Sequence, residues 1–125
     1  MVTVVLLGAI AVAGGGVGVA LGPIPGDGVV GISRAADSEY RFLSGTWLCW
    51  GVAALWSARR PGRRALVTRL FLVAAILGGV ARLVSLLSVG WPGPLLTAAL
   101  GIELLVVPLV LLWHLRHYPP GGTAD

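Results

Sequence analysis

The chain has 125 residues, of which 57% are hydrophobic and only 11% are charged, and its net charge is +4. Its mean hydropathy of +0.93 is far above what the core of a small soluble domain requires. Composition therefore excludes a soluble domain and indicates an integral membrane protein, in which the positive charge follows the membrane rather than a nucleic acid.

Four apolar stretches fill most of the chain, and each is long enough to cross about 30 Å of hydrocarbon as a helix. They cover residues 2–21, 42–58, 65–89 and 95–115. We predict an all-α fold in which residues 1–125 form one domain, an integral membrane four-helix bundle with up-down-up-down topology.

The first stretch lacks a basic region before its apolar run, so we predict a retained span and not a cleaved signal peptide. Gly14, Gly18 and Gly22 follow one another at intervals of four and form a ridge of small residues on one helix face. Such a ridge allows close packing within the bundle, which is the favoured interpretation. The alternative is a homodimer through the Gly14/Gly18/Gly22 face.

The second stretch begins beside Arg41 and carries Trp47 and Trp50. Arg41 is predicted to extend to the outer headgroups or, alternatively, to close a polar pocket from above. Cys49 is the sole cysteine, so no disulfide forms within the chain, and we predict a small buried hydrophobe at this position.

Four arginines in one short loop set the predicted orientation between the second and third stretches. The positive-inside rule places this loop in the cytoplasm. With four spans, both termini then lie in the cytoplasm, and the protein is a multi-pass protein of the cell inner (plasma) membrane. The loop arginines are Arg59, Arg60, Arg63 and Arg64.

The third and fourth stretches each contain one ionisable residue, Arg82 and Glu103. Counted at about 1.5 Å per residue from the outer helix ends, both lie roughly 10–12 Å below the outer boundary. Because a charge at membrane depth is costly unless it is paired, we predict an Arg82–Glu103 salt bridge that faces the bundle interior. Ser85 lies one turn outward from Arg82 and extends the polar face.

Two interpretations of this pair stay open: it fixes helix register without doing chemistry, or it binds a ligand or handles protons. No nucleophile and base accompany it, since His114 and His117 lie at the opposite end, where we predict a solvated role. We therefore predict no catalytic residue, no cofactor and no metal site, and we favour a protein that is not an enzyme.

Three short motifs resemble one bacterial family. They are R-F-x-x-G-x-W over residues 41–47, G-G-x-A-R-x-x-S over residues 78–85, and G-x-P at 90–92 followed by E-L at 103–104. Together they resemble the domain-of-unknown-function family 4345 of small four-span membrane proteins, and the layout is more loosely similar to DoxX-like membrane proteins. The resemblance implies recurrent polar positions at Arg41, Arg82, Ser85 and Glu103, and it implies no activity.

The function favoured at this stage is binding of a membrane lipid or small amphiphile in a cavity of the outer leaflet. Arg41 and Arg82 would hold its anionic group, and Trp47 and Trp50 would form the cavity wall. The alternatives are a small transporter or proton-coupled exporter acting as a dimer, and an accessory subunit of a membrane complex. No nucleic-acid partner is expected.

Overall fold

The computed structural model describes residues 1–23 and 33–119, so residues 24–32 of the connection between the first two predicted spans lie outside the described residues. Within the described ranges the chain forms helices and turns and no strand, which confirms the predicted all-α class. The chain divides into two compact units, Met1–Arg59 and Arg60–Asp125. The arrangement of the helices in a single up-down bundle stays a prediction.

The first unit is a pair of antiparallel helices, α1 (Val2–Leu21) and α2 (Arg34–Ala58), which touch at the level of their backbones. A Cβ atom added at Gly15 would lie 2.6 Å from the backbone nitrogen of Leu48, and one added at Gly51 would lie 2.7 Å from that of Val12. Small residues therefore permit a close helix crossing of the kind found in membranes.

The three glycines of the predicted ridge do not all face α2. Gly18 and Gly22 are buried against α2, whereas nothing lies within 4 Å of a Cβ added at Gly14. Gly22 also ends α1 with a φ of 73°, a conformation that glycine adopts without steric cost. Packing within the chain thus occupies two of the three glycines, and a homodimer through this face stays a prediction.

Helix α2 begins at Arg34, well before the predicted span at Phe42. Ser33 precedes it in an extended conformation, and its side-chain oxygen accepts a hydrogen bond of 3.1 Å from the backbone N–H of Ala36. Asp37 in the first turn complements the positive end of the helix dipole. Capping therefore starts this helix in polar sequence, ahead of the apolar stretch.

The second unit pairs α3 (Ala65–Val89) with a helical run that has three parts. These are α4 (Pro94–Gly101), a π-helical turn (Ile102–Val106) and α5 (Val107–His117). The side of α3 that is buried follows the spacing of a single helix face. Its buried residues are Thr68, Phe71, Leu72, Ala75 and Gly79.

The π-helical turn has an evident cause in Pro108. Proline has no amide hydrogen, and inside an α-helix its ring collides with the carbonyl group four residues earlier. The helix widens just before Pro108, where the N–H of Val107 donates to the carbonyl oxygen of Ile102, five residues earlier.

Within the described residues, three helical segments are long and apolar enough to cross a membrane: Val2–Leu21, Ala65–Val89 and Pro94–His117. These segments fit a membrane-embedded protein. Helix α2 is not in this group, because its first turns carry charges and its apolar part is interrupted by polar and small residues.

Candidate functional site

The ion pair predicted within the apolar helices is present in the second unit. The Nε atom of Arg82 lies 3.0 Å from Oε2 of Glu103. Arg82 is on α3 and Glu103 is on the π-helical turn, so the antiparallel run brings both residues to one level. The matching depths inferred from the sequence therefore correspond to a real contact.

Gly79 makes this approach possible. It lies one turn before Arg82, and a Cβ atom at this position would be 2.8 Å from the Cβ of Glu103 and 3.0 Å from Cδ2 of Leu104. The absent side chain leaves the space in which the Glu103 stem passes α3. Gly79 belongs to the same G-G-x-A-R motif as Arg82, but nothing in that motif distinguishes it from Gly78 as the residue that faces Glu103.

The two partners differ in how far they are enclosed. The Glu103 side chain is 12% exposed, whereas the Arg82 side chain is 42% exposed. Glu103 thus fits the expectation of an enclosed pair and Arg82 does not, because its long side chain reaches Glu103 along the surface of α3. The contact joins Glu103 to Nε of Arg82, and no contact of the terminal nitrogens Nη1 and Nη2 is observed within the described residues.

The pair can hold an anion in a defined orientation. Guanidinium nitrogens lie in one plane and match the two oxygens of a carboxylate or a phosphate. Glu103 contacts the guanidinium at Nε, which leaves the edge formed by Nη1 and Nη2 for a ligand. Ser85 is exposed one turn farther along α3 and makes no hydrogen bond within the described ranges.

Arg41, the other predicted cation of the site, has its own partners in the first unit. Its Nε donates to Oδ2 of Asp37 at 3.0 Å. Its Nη1 donates to the backbone oxygens of Val19 at 2.5 Å and Ala20 at 3.3 Å. These oxygens belong to the last turn of α1, where carbonyl groups lack helical partners and the dipole is negative.

A groove of about 730 Å³ lies on the first unit, with Arg41 in its lining. Trp50 is part of the lining and Trp47 is not among the lining residues, and a cavity walled by both stays a prediction. Cys49 is also in the lining and is exposed, so the expectation of a buried cysteine was wrong. The small residues Gly45, Cys49 and Ala53 recur every fourth position along the groove, and Val19, Phe42 and Thr46 complete it.

The far end of the second unit holds a polar cluster that was not predicted. Nη2 of Arg69 donates to the backbone oxygen of Tyr118. His114 is completely buried, and its ring lies 4.9 Å from that of Tyr118. The expectation of a solvated His114 was therefore wrong, whereas His117 is exposed and stacks on Trp113 at 4.5 Å.

A family model described as "Domain of unknown function (DUF4345)" matches residues 1–114, which include Arg41, Arg82 and Glu103. None of the curated proteins compared matches the chain, and no solved structure does.

Proposed function

The chain belongs to the DUF4345 family, whose function is unknown, and we propose that it is a membrane protein that binds the anionic group of an amphiphile at Arg82. A carboxylate or phosphate would accept hydrogen bonds from Nη1 and Nη2, and Glu103 would hold the guanidinium in place. The apolar part of the ligand would lie among the hydrocarbon chains around α3.

The observation that carries this proposal is the unequal exposure of a single ion pair. Glu103 is nearly enclosed, whereas Arg82 lies at the surface of a helix whose other exposed residues are apolar apart from Ser85 and Ser88. A charged group exposed to lipid at membrane depth is costly, so a pair that only fixes register is expected to be enclosed within the protein. An exposed guanidinium edge at membrane depth instead favours an anionic partner.

We further propose four membrane spans, with both termini in the cytoplasm of a bacterial cell. The charged first turns of α2 lower its hydropathy, yet α2 runs antiparallel to α1 along most of the length of α1. Gly8 faces Leu55 near one end of the pair, and Gly22 faces Asp37 near the other. If α1 crosses the bilayer, a helix packed along that length has to cross the same thickness.

The binding proposal is tested by native mass spectrometry of the chain purified from membranes in a mild detergent. We expect the wild type to retain an anionic amphiphile and Arg82→Gln to lose about tenfold in occupancy, since hydrogen bonds to charged groups contribute about 1.5–3 kcal/mol. Arg82→Lys keeps the charge but lacks the planar fork, so its occupancy should be intermediate.

Arg116→Gln is the matched control, because Arg116 is exposed in the last turn of α5, at the opposite end from Glu103. It should retain the ligand at the wild-type level. Equal occupancy in the wild type and Arg82→Gln would contradict the proposal, as would a wild-type protein that carries no amphiphile.

A further inference from the structure

The groove on the first unit combines an apolar surface with one cationic end. Phe42, Trp50 and Val19 contribute apolar surface, and small residues at every fourth position keep the groove open along α2. Among the described residues that line the groove, Arg41 alone is charged. We propose that this groove binds one acyl chain of a membrane phospholipid and that the lipid phosphate lies at Arg41.

The length of the groove suits an acyl chain of a single leaflet. From Arg41 to Ala53 the α2 axis rises about 18 Å, at about 1.5 Å per residue. Half of the hydrocarbon thickness of a bilayer is about 15 Å. A chain that starts at the level of Arg41 would therefore end near the deep end of the groove at Ala53.

The contacts of Arg41 leave one donor group for the phosphate. Nε and Nη1 are engaged by Asp37 and by the end of α1, which fixes the guanidinium in position. Nη2 makes no hydrogen bond within the described part of the chain, and the Arg41 side chain is 40% exposed. A phosphate oxygen is the acceptor that a guanidinium at a membrane interface would meet.

A second copy of the chain is the competing occupant, since small residues at every fourth position also suit helix packing in membranes. The cationic end favours the lipid. A phosphate satisfies Nη2 directly, whereas an apolar helix laid along the groove would cover a charged side chain without offering it an acceptor.

The experiment uses the full chain in vesicles of phosphatidylethanolamine and phosphatidylglycerol, with a trace of phospholipid that carries a photoreactive acyl chain. After illumination, peptide mass spectrometry locates the adducts. We expect them to concentrate on Thr46, Cys49, Trp50 and Ala53. Ala53→Leu fills the deep end of the groove and should lower the yield several-fold. Val52→Leu places the same leucine side chain at an exposed position outside the groove and should leave the yield unchanged.

The headgroup contact is tested by Arg41→Gln, which retains a donor for the α1 carbonyl groups but removes the charge. Its adduct yield should fall about tenfold, as expected for loss of a charge-assisted hydrogen bond. Circular dichroism at wild-type intensity shows that the variant is folded.

Two outcomes would overturn the proposal. Adducts spread evenly around α2 would mean that the groove does not select a lipid. Rapid, complete disulfide formation between two copies at Cys49 under mild oxidation would identify a second copy as the occupant, because Cys49 is the sole thiol of the chain. Neither outcome depends on Arg82, so this inference and the proposed function can fail independently.

Discussion

At the scale of single residues, Gly79 and Gly78 offer a direct test of how the ion pair is positioned. A Cβ atom at Gly79 would collide with the stem of Glu103, whereas nothing lies within 4 Å of a Cβ atom at Gly78. We expect Gly79→Ala to lower the free energy of unfolding by about 1–3 kcal/mol, because the added methyl group forces the two helices apart.

Gly78→Ala is the matched control, since it makes the same chemical change one residue away. It should be neutral or stabilising by up to about 1 kcal/mol, because alanine orders more readily than glycine in a helix. Unfolding of both variants in detergent micelles, followed by circular dichroism, gives the comparison. Equal stability of the two variants would show that the close approach of Glu103 to α3 is not tight.

The charges of this site could be predicted from the sequence, and their surroundings could not. Counting residues from the helix ends was enough to bring Arg82 and Glu103 to one level. Counting residues does not give the direction in which each side chain points around its helix axis. For Glu103 that direction is changed by the π-helical turn before Pro108. For the same reason, the contact between Glu103 and Gly79 and the exposure of Arg82 could not be predicted from the sequence.

At the scale of helices, the α1–α2 crossing depends on which glycines face the partner. Gly15 meets the backbone of Leu48 and Ser44, whereas Gly14, its neighbour, meets nothing within 4 Å. We expect Gly15→Ala to destabilise the first unit by about 1–3 kcal/mol and Gly14→Ala to be neutral or slightly stabilising. Thermal unfolding in micelles provides the measurement, and an equal loss in both variants would contradict the observed crossing.

The ends of a helix could be predicted from hydropathy where the helix and the apolar stretch coincide. Helices α1 and α3 have the bounds of the predicted stretches, because apolar sequence and helix coincide there. Helix α2 differs, because capping by Ser33 begins it in polar sequence. The combination of Ser33 and Asp37 was present in the sequence as a helix-start signal, but a search for apolar spans passes over it.

At the scale of the whole molecule, the number of spans decides the topology. Three helical segments qualify as spans by hydropathy, and three spans would place the two ends of the described chain on opposite sides of the membrane. Four spans would place both ends on one side. The packing of α2 along α1 supports four, and the arginine-rich loop between α2 and α3 favours a cytoplasmic location for both ends.

Reporter fusions distinguish these topologies in cells. A fluorescent protein that matures only in the cytoplasm should be active at either end of the chain, and alkaline phosphatase, which needs an oxidising compartment, should be inactive at both. A second phosphatase fusion in the turn after α3, next to Gly93, should be active, because that turn is predicted to face outward. Activity of opposite kinds at the two ends would mean that α1 crosses the membrane and α2 does not, and the observed packing of α2 along α1 would then not form in the membrane.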